Sequence, residues 1–257
     1  MNIGLALGGG AARGWAHVGV LEALDSRGLE IKAVAGTSIG ALIGAFAAAD
    51  KLDELKEIST SFGRRAAFKL FDPVFPVAGF VDGRKVEQFL REHLGDINIE
   101  DLPIPYAAVA VDLATGESLE LHEGSVVDAV RASISIPGVF TPALSQGRCL
   151  VDGGLANPLP VDVVRGMGGD RVIAVDLNKD LPPSKGGRRP NIMQVLNSTV
   201  VVMERQLTLL RLKLDPPDLV IRPELSTVGM MDFHAVQEGI AAGRKAAEEA
   251  LENFTCD

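Results

Sequence analysis

The first 50 residues hold two successive units in which a short apolar run ends at glycine and a helically spaced segment follows. In chain order these are strands 2–7 and 31–35, glycine turns 8–10 and 36–40, and helices 11–28 and 39–49. Two parallel strands need a long connection between them, and a helix is the usual one. The pattern therefore predicts an α/β fold with a mainly parallel sheet and right-handed crossovers.

The rest of the chain continues to alternate strands and helices. The predicted helices are 53–61, 84–94, 125–132, 191–213 and 235–253, and the predicted strands are 104–111, 118–122, 149–151, 171–177 and 219–222. A length of 257 residues with 47% apolar residues suits one large α/β domain better than two small ones. No boundary interrupts 1–257, although the clearest loop, 178–190, precedes a helical C-terminal part.

Charge and cysteine content restrict the function classes and the compartment. The formal net charge of −9 argues against nucleic-acid binding, which needs a basic face. Cys149 and Cys256 give no disulfide framework, so a reducing compartment is expected. The N-terminal residues read as a strand rather than a signal peptide, and no apolar run approaches the ~20 residues that span a bilayer. We expect a cytoplasmic protein for which peripheral contact with a membrane remains open.

The two glycine turns are predicted to lie side by side at one edge of the sheet, because consecutive parallel strands joined by a helix end at the same edge. Both turns open a helix, and helix N-termini present unpaired N–H groups and a partial positive charge. The second turn, Gly36-Thr37-Ser38-Ile39-Gly40, has the G-x-S-x-G pattern of a nucleophile on a sharp turn. The pair thus predicts an oxyanion hole beside the Ser38 hydroxyl.

Each turn taken alone has other interpretations. A dinucleotide site fails because Arg13 stands where the third glycine belongs, and a P-loop fails because no G-K-[ST] follows. A tight turn of purely structural value remains open for Gly8–Gly10 by itself. Ser38 is likewise a suitable N-cap for the helix after it. The occurrence of both turns at neighbouring strand ends favours a catalytic role.

A carboxylate is the favoured proton acceptor for Ser38. The four histidines, His17, His93, His122 and His234, all lie where structural or surface roles are expected. Asp152 follows an apolar strand and precedes two glycines, so it projects at a strand end with little cover. Asp176 lacks the glycine pair, and Asp112 lies in a hairpin turn where Asp bonds locally. An apolar site would raise the pKa of Asp152 and make it a better base.

With GGGAARG, GTSIG and DGG in that order, the chain resembles patatin-like phospholipases, most closely the bacterial branch similar to the neuropathy target esterase catalytic domain. RGWAHVGVLEAL, AVDLATGE, RASISIPGVFTPA and VDGGLANPLPVDVV extend the resemblance over about residues 3–178. It implies a three-layer α/β/α fold and a Ser–Asp dyad without histidine. By this match Ser38 is the nucleophile, Asp152 the base, and Gly9, Gly10 and Ala11 the oxyanion hole.

The resemblance implies a reaction and a substrate class as well. The expected activity is hydrolysis of fatty-acyl esters of phospholipids, lysophospholipids or related lipids through an acyl-enzyme, with no metal and no cofactor. Ala11 departs from the third glycine usual in the family, which restricts φ at that position. Arg13 matches the family's R-G, and we favour a structural role for it. A regulatory or adaptor protein with a dormant site of the same fold is the alternative.

Two further segments bear on access of a lipid to the site. The stretch 66–81 is rich in phenylalanine and fits a lid or acyl-chain wall as well as it fits ordinary core packing. The loop 178–190 carries four basic residues against one Asp. It fits contact with anionic headgroups, although a solvated loop is the favoured interpretation.

Overall fold

The computed structural model describes residues 2–61, 79–179, 191–252 and 254. Its strands are β1 Ile3–Leu7, β2 Ile31–Thr37, β3 Tyr106–Asp112, β4 Ser118–Leu121, β5 Ala143–Ser145, β6 Arg148–Asp152, β7 Arg171–Val175 and β8 Leu219–Ile221. Its helices are α1 Trp15–Ser26, α2 Ile39–Ala48, α3 Leu52–Ser61, α4 Arg84–Leu94, α5 Val126–Ser133, α6 Val161–Gly166, α7 Ile192–Leu214 and α8 Val236–Leu251.

The strands form one mixed, mostly parallel sheet in the order β5-β6-β3-β2-β1-β7-β8, with β4 paired to β3. The strands β3, β2, β1, β7 and β8 pair parallel with one another in that order. Strands β4 and β6 pair antiparallel with β3, and β5 pairs antiparallel with β6. The predicted neighbour relation of β1 and β2 is confirmed, since Leu7 lies beside Gly36 at their shared carboxyl edge.

Alternation along the central strands divides the core between the two faces of the sheet. On one face Leu5, Leu7 and Val34 pack with α1, α2 and α8 in the larger apolar cluster. On the other face, small residues such as Ala6 and Ala35 pack against α6 and the segment that precedes it. Helices thus cover both faces, and the predicted three-layer α/β/α fold is confirmed. Burial on both sides explains why these strands read as continuous apolar runs.

Strands β2 and β6 meet end to end along one edge of β3. The last residue of β2, Thr37, lies beside Val109, and the last residue of β6, Asp152, lies beside Ala110. Strand β4 pairs with 108–111 of β3 and therefore occupies the opposite edge along this stretch. Because β6 runs antiparallel to β3 and β2 runs parallel to it, the carboxyl ends of β2 and β6 point at each other. This junction brings distant parts of the sequence together.

Most predicted elements are present, with differences at three places. The predicted helix over 11–28 begins as a 3-10 turn, Ala11–Gly14, and becomes α-helical at Trp15. The short strand β5 and the six-residue helix α6 are additions, and both fall below the length at which periodicity is informative.

That the whole chain forms one domain stays a prediction. Within the described ranges, no helix has the length and hydropathy needed to cross a membrane.

Candidate active site

Ser38 occupies the sharp turn between β2 and α2, with φ 55° and ψ −123°. A side chain at Gly36 would collide with the backbone of Gly40, and one at Gly40 would collide with the carbonyl oxygen of Leu7. Both glycines of the G-x-S-x-G sequence are therefore required by packing. Ser38 itself bears the strained conformation, which costs about 1–3 kcal/mol for a residue with a side chain. Strain of this kind is typical of functional positions.

The junction of β2 and β6 places Ser38 against Asp152. The Ser38 hydroxyl donates a hydrogen bond to Asp152 Oδ2 at 2.6 Å. The other oxygen, Oδ1, accepts the Gly154 N–H at 2.8 Å, which fixes the rotation of the carboxylate. The Ser38 N–H donates to Ser133 Oγ at 2.9 Å. Both members of the pair are buried, so the two residues singled out from the sequence are hydrogen-bonded partners in the fold.

The two glycines after Asp152 are explained by what lies against them. A side chain at Gly153 would collide with the carbonyl oxygen of Val109 on β3. A side chain at Gly154 would collide with the carboxyl of Glu204 on α7. The Asp-Gly-Gly sequence is therefore the one that lets the end of β6 turn tightly beneath the sheet and hold the carboxylate at Ser38.

The surroundings of Asp152 change its acid strength in the direction that suits a base. Burial raises the pKa of Asp152 from 3.8 to about 6, although the hydrogen bonds from Ser38 and Gly154 oppose this rise. A carboxyl with such a pKa is mostly ionised at neutral pH and accepts a proton more readily than an ordinary Asp. The expectation that an apolar site raises this pKa is met.

The glycine loop lies beside Ser38. A side chain on Gly9 would lie 3.6 Å from Ser38 Cβ. The Gly9 N–H donates to Pro158 O at 3.1 Å, whereas the N–H groups of Gly10 and Ala11 have no hydrogen-bond partner among the described residues. Ala11 takes up φ 47°, the left-handed conformation that glycine adopts more easily. Of the three predicted oxyanion residues, Gly10 and Ala11 thus offer free donors and Gly9 anchors the loop.

Three of the four histidines are engaged in other contacts. His17 is fully buried, and its Nε2 lies 2.9 Å from Gly8 O, to which the neutral ring donates. Burial lowers the pKa of His17 to about 4, so the ring is neutral at pH 7. His93 pairs with Glu54 at 2.7 Å, and exposed His122 bonds the backbone of its own hairpin. The prediction of a buried, structural His17 is confirmed.

The other carboxylates considered as bases are held elsewhere. Asp112 accepts the Ala114 N–H at 2.9 Å, the local turn bond expected of it. Asp176 accepts the Asn178 N–H at 3.0 Å and pairs with Arg222 at 3.2 Å.

Arg13 ties the glycine loop to the C-terminal part of the chain. Its guanidinium is completely buried and donates to Val228 O at 2.9 Å and to Leu177 O at 3.3 Å. These contacts with backbone carbonyls fit the structural role favoured from the sequence.

An apolar cleft of about 900 Å³, counted with its open mouth, leads to Ser38. Ser38 supplies a polar group to a wall that is otherwise apolar. Its apolar lining residues include Ala11, Leu42, Phe89, Ile136 and Phe140. Its carbon-rich wall favours a hydrocarbon chain next to the serine.

Sequence reasoning missed three residues that support the pair. Ser133 belongs to the RASISIPGVFTPA stretch, so the resemblance held a signal for it. Asn178 and Glu204 belong to no motif. Asn178 reaches the site because β7 ends beside it, and Glu204 reaches it because α7 passes beside it.

Among the residues that the structure describes, no cluster of His, Cys, Asp and Glu is arranged to hold a metal ion.

Comparisons with known proteins agree with this fold and cleft. A family profile described as patatin-like phospholipase matches residues 5–165. An NTE family protein of Mycobacterium tuberculosis (strain ATCC 25618 / H37Rv) is 32% identical, with 100% of this chain and 93% of that protein covered. The lysophospholipase NTE1 of Mycosarcoma maydis is 37% identical over 69% of this chain, which is 10% of its own length.

A solved structure shares the fold. The crystal structure of VipD from Legionella pneumophila matches with a TM-score of 0.53 at 13% identity, covering 98% of this chain and 67% of that one. The patatin-like phospholipase profile and the NTE relatives indicate that the chain is a lipid ester hydrolase. Within that class, the chain belongs to the patatin-like phospholipase family and is related to its NTE branch. The family resemblance drawn from the sequence is confirmed.

Proposed function

We propose that this enzyme is a serine acyl hydrolase in which Ser38 is the nucleophile and Asp152 the base. The observation that carries the proposal is the 2.6 Å hydrogen bond from Ser38 Oγ to Asp152 Oδ2, with Ser38 lining an apolar cleft. The strained turn at Ser38, the raised pKa of Asp152 and the free N–H groups of Gly10 and Ala11 support it.

The reaction would proceed by acyl transfer in two halves. As Ser38 Oγ attacks the ester carbonyl carbon, its proton passes to Asp152 Oδ2. The carbonyl oxygen becomes an oxyanion that accepts hydrogen bonds from Gly10 and Ala11 and benefits from the N-terminus of α2. The ester C–O bond then breaks, and the leaving alcohol takes the proton from Asp152. An acyl-Ser38 intermediate remains.

Water completes the second half. It attacks the acyl carbon while Asp152 accepts its proton, and the proton returns to Ser38 Oγ as the fatty acid departs. His17 does not take part in this scheme, because its Nε2 is bound to Gly8 O and burial lowers its pKa to about 4, which makes the ring a weak proton acceptor. Each half uses one carboxylate as base and then as acid, so a single buried carboxylate suffices.

The substrate class follows from the cleft and from the relatives. The apolar wall beside Ser38 suits a fatty-acyl chain, and the Mycosarcoma maydis relative is named a lysophospholipase. We therefore propose lysophospholipids as the first substrates, with phospholipids and neutral acyl esters to be compared. Such substrates lie in micelles or bilayers, so we propose peripheral contact of the enzyme with a membrane. The cytoplasm is the proposed compartment, as expected from the cysteine content.

Hydrolysis of lysophosphatidylcholine and of p-nitrophenyl esters of increasing chain length tests the proposal. We expect Ser38→Ala and Asp152→Asn each to lower kcat on the order of 10⁴-fold or more. Asp112→Asn is the matched control, because it makes the same change at a carboxylate away from the cleft and Asn supports the same turn. Fatty-acid release that survives in Ser38→Ala would refute the assignment.

A further inference from the structure

Glu204 on α7 is a carboxyl that the proposed mechanism does not use, yet it touches both halves of the site. One of its oxygens lies against Gly154, directly after the base Asp152. The other accepts a hydrogen bond from Asn178 Nδ2 at 3.4 Å. The same Asn178 Nδ2 lies 3.3 Å from Gly9 O in the oxyanion loop. Glu204 and Asn178 therefore bridge the turn that holds Asp152 to the loop that faces the substrate.

No described lysine or arginine forms an ion pair with Glu204. The charged residues close to Asn178 and Glu204 in sequence have other partners: Lys179 pairs with Glu224 at 3.6 Å, Asp176 pairs with Arg222 at 3.2 Å, and Arg205 donates to Lys179 O at 3.0 Å. Asp152 is the one described group whose charge acts on it. A second negative charge here would therefore face Asp152 without compensation.

The environment holds Glu204 in its neutral form. Burial, with the charge of Asp152 as the smaller cause, raises the pKa of Glu204 from 4.5 to about 8. The pair then loses its first proton mainly from Asp152 and its second mainly from Glu204. Near pH 7, Asp152 is ionised and Glu204 still carries its proton.

We propose that Glu204, as a neutral carboxyl, is a positioning residue for the Ser38–Asp152 pair and the oxyanion loop. This inference rests on the proposed function. The neutral side chain packs against Gly154 and holds Asn178 on Gly9 O without adding charge beside the base. When Glu204 ionises, repulsion between the two carboxylates drives its half-buried side chain toward solvent. Asn178 then loses its second anchor, and the alignment of the loop with Ser38 relaxes.

The test is the pH profile of kcat and KM for wild type, Glu204→Gln and Glu204→Ala. In wild type we expect kcat to fall about tenfold between pH 7 and pH 9, as one ionisation at about pH 8 requires. Glu204→Gln keeps the shape and neutrality, so its kcat at pH 7 stays within about threefold and its alkaline fall disappears. Glu204→Ala removes the bridge and lowers kcat at pH 7 by about 10–100-fold with KM little changed.

Glu248→Gln makes the same change at an exposed Glu on helix α8, so it is the matched control and keeps the wild-type profile. An alkaline fall in Glu204→Gln equal to that of wild type overturns the inference, and so does wild-type kcat in Glu204→Ala. If wild type hydrolyses no ester at any pH, the proposed function has failed instead. The melting temperature then decides, because a pKa raised from 4.5 to about 8 removes stability between those two values and none above. It should fall more steeply from pH 6 to pH 8 in wild type than in Glu204→Gln, and equal slopes overturn the inference.

Discussion

The strained backbone at Ser38 leads to a stability prediction that separates conformation from chemistry. Ser38→Ala and Ser38→Gly both remove the hydroxyl and its bond to Asp152. They differ in one respect, since Ala keeps the Cβ atom that makes φ 55°, ψ −123° unfavourable and Gly does not. The difference in unfolding free energy between the two variants therefore measures the strain itself.

The expected magnitude follows from two opposing effects. Relief of strain favours the Gly variant by about 1–3 kcal/mol. The greater freedom of glycine in the unfolded chain costs about 0.5–1 kcal/mol. The net difference is about 1 kcal/mol in favour of Ser38→Gly, or about 3 °C in melting temperature for a chain of this length.

Thermal and urea unfolding of the two variants provide the assay. Ser59, within helix α3, is the matched control site, because helical backbone favours Ala over Gly by about 1 kcal/mol. The sign of the Ala-to-Gly difference should thus be opposite at the two positions. A Ser38→Gly variant less stable than Ser38→Ala would refute the strained turn.

Three further changes have defined outcomes. Ala11→Gly should raise unfolding free energy by about 0.5–1 kcal/mol and preserve activity, because φ 47° suits glycine and the N–H remains; a loss of stability in urea titration would count against that conformation. The raised pKa of Asp152 gives stability that is present below pH 4 and lost as pH rises through about 6. Asp152→Asn should therefore be more stable than wild type at pH 7 by about 1–3 kcal/mol and show no advantage at pH 4. Equal melting temperatures at pH 7 would contradict the buried charge. Gly40→Ala should lower the unfolding free energy by about 2–4 kcal/mol, because the new Cβ meets the backbone of Leu7. Gly166→Ala is the control, since its Cβ faces open space at the end of α6 and should be neutral or slightly stabilising. Similar melting temperatures for the two variants would show that the turn has room for a side chain.

The parallel part of the fold could be predicted because its signals are local. Apolar strands that end at glycine and lead into helices fix both the direction and the order of β1 and β2. Burial on both faces makes these strands read as unbroken apolar runs, which are easily recognised. The short elements β5 and α6 lack the length that makes a period visible, so the sequence could not show them.

Ser38 and Asp152 could be named as the proposed catalytic pair from the sequence, but their geometry depends on a long-range junction. No local feature of the sequence indicates that β6 runs antiparallel to β3 and that its carboxyl end meets the carboxyl end of β2 beside β3. Glycine patterns suggested strand ends with little cover for Ser38 and Asp152, but packing against other parts of the chain buries both. Glu204 lies on helix α7 in the sequence VVVMERQ, where a single Glu has no distinguishing pattern. Burial and proximity to Asp152 alone set it apart.

The two segments expected to control access fall mainly outside the described residues. Of 66–81, the structure describes 79–81, and Phe80 there is exposed. Of 178–190, it describes Asn178 and Lys179. A lid at the first segment and headgroup contact at the second therefore stay predictions.

Active-site labelling with a fluorophosphonate probe, located by intact mass and peptide mapping, tests the central claim most directly. Folded wild type should gain one probe adduct at Ser38, Ser38→Ala should gain none, and Asp152→Asn should react at least about 10²-fold more slowly because the hydroxyl has lost its base. No adduct on folded wild type, or an adduct at another residue, would contradict an activated Ser38. A dormant site of the same fold, serving a regulatory role, would then be the better account.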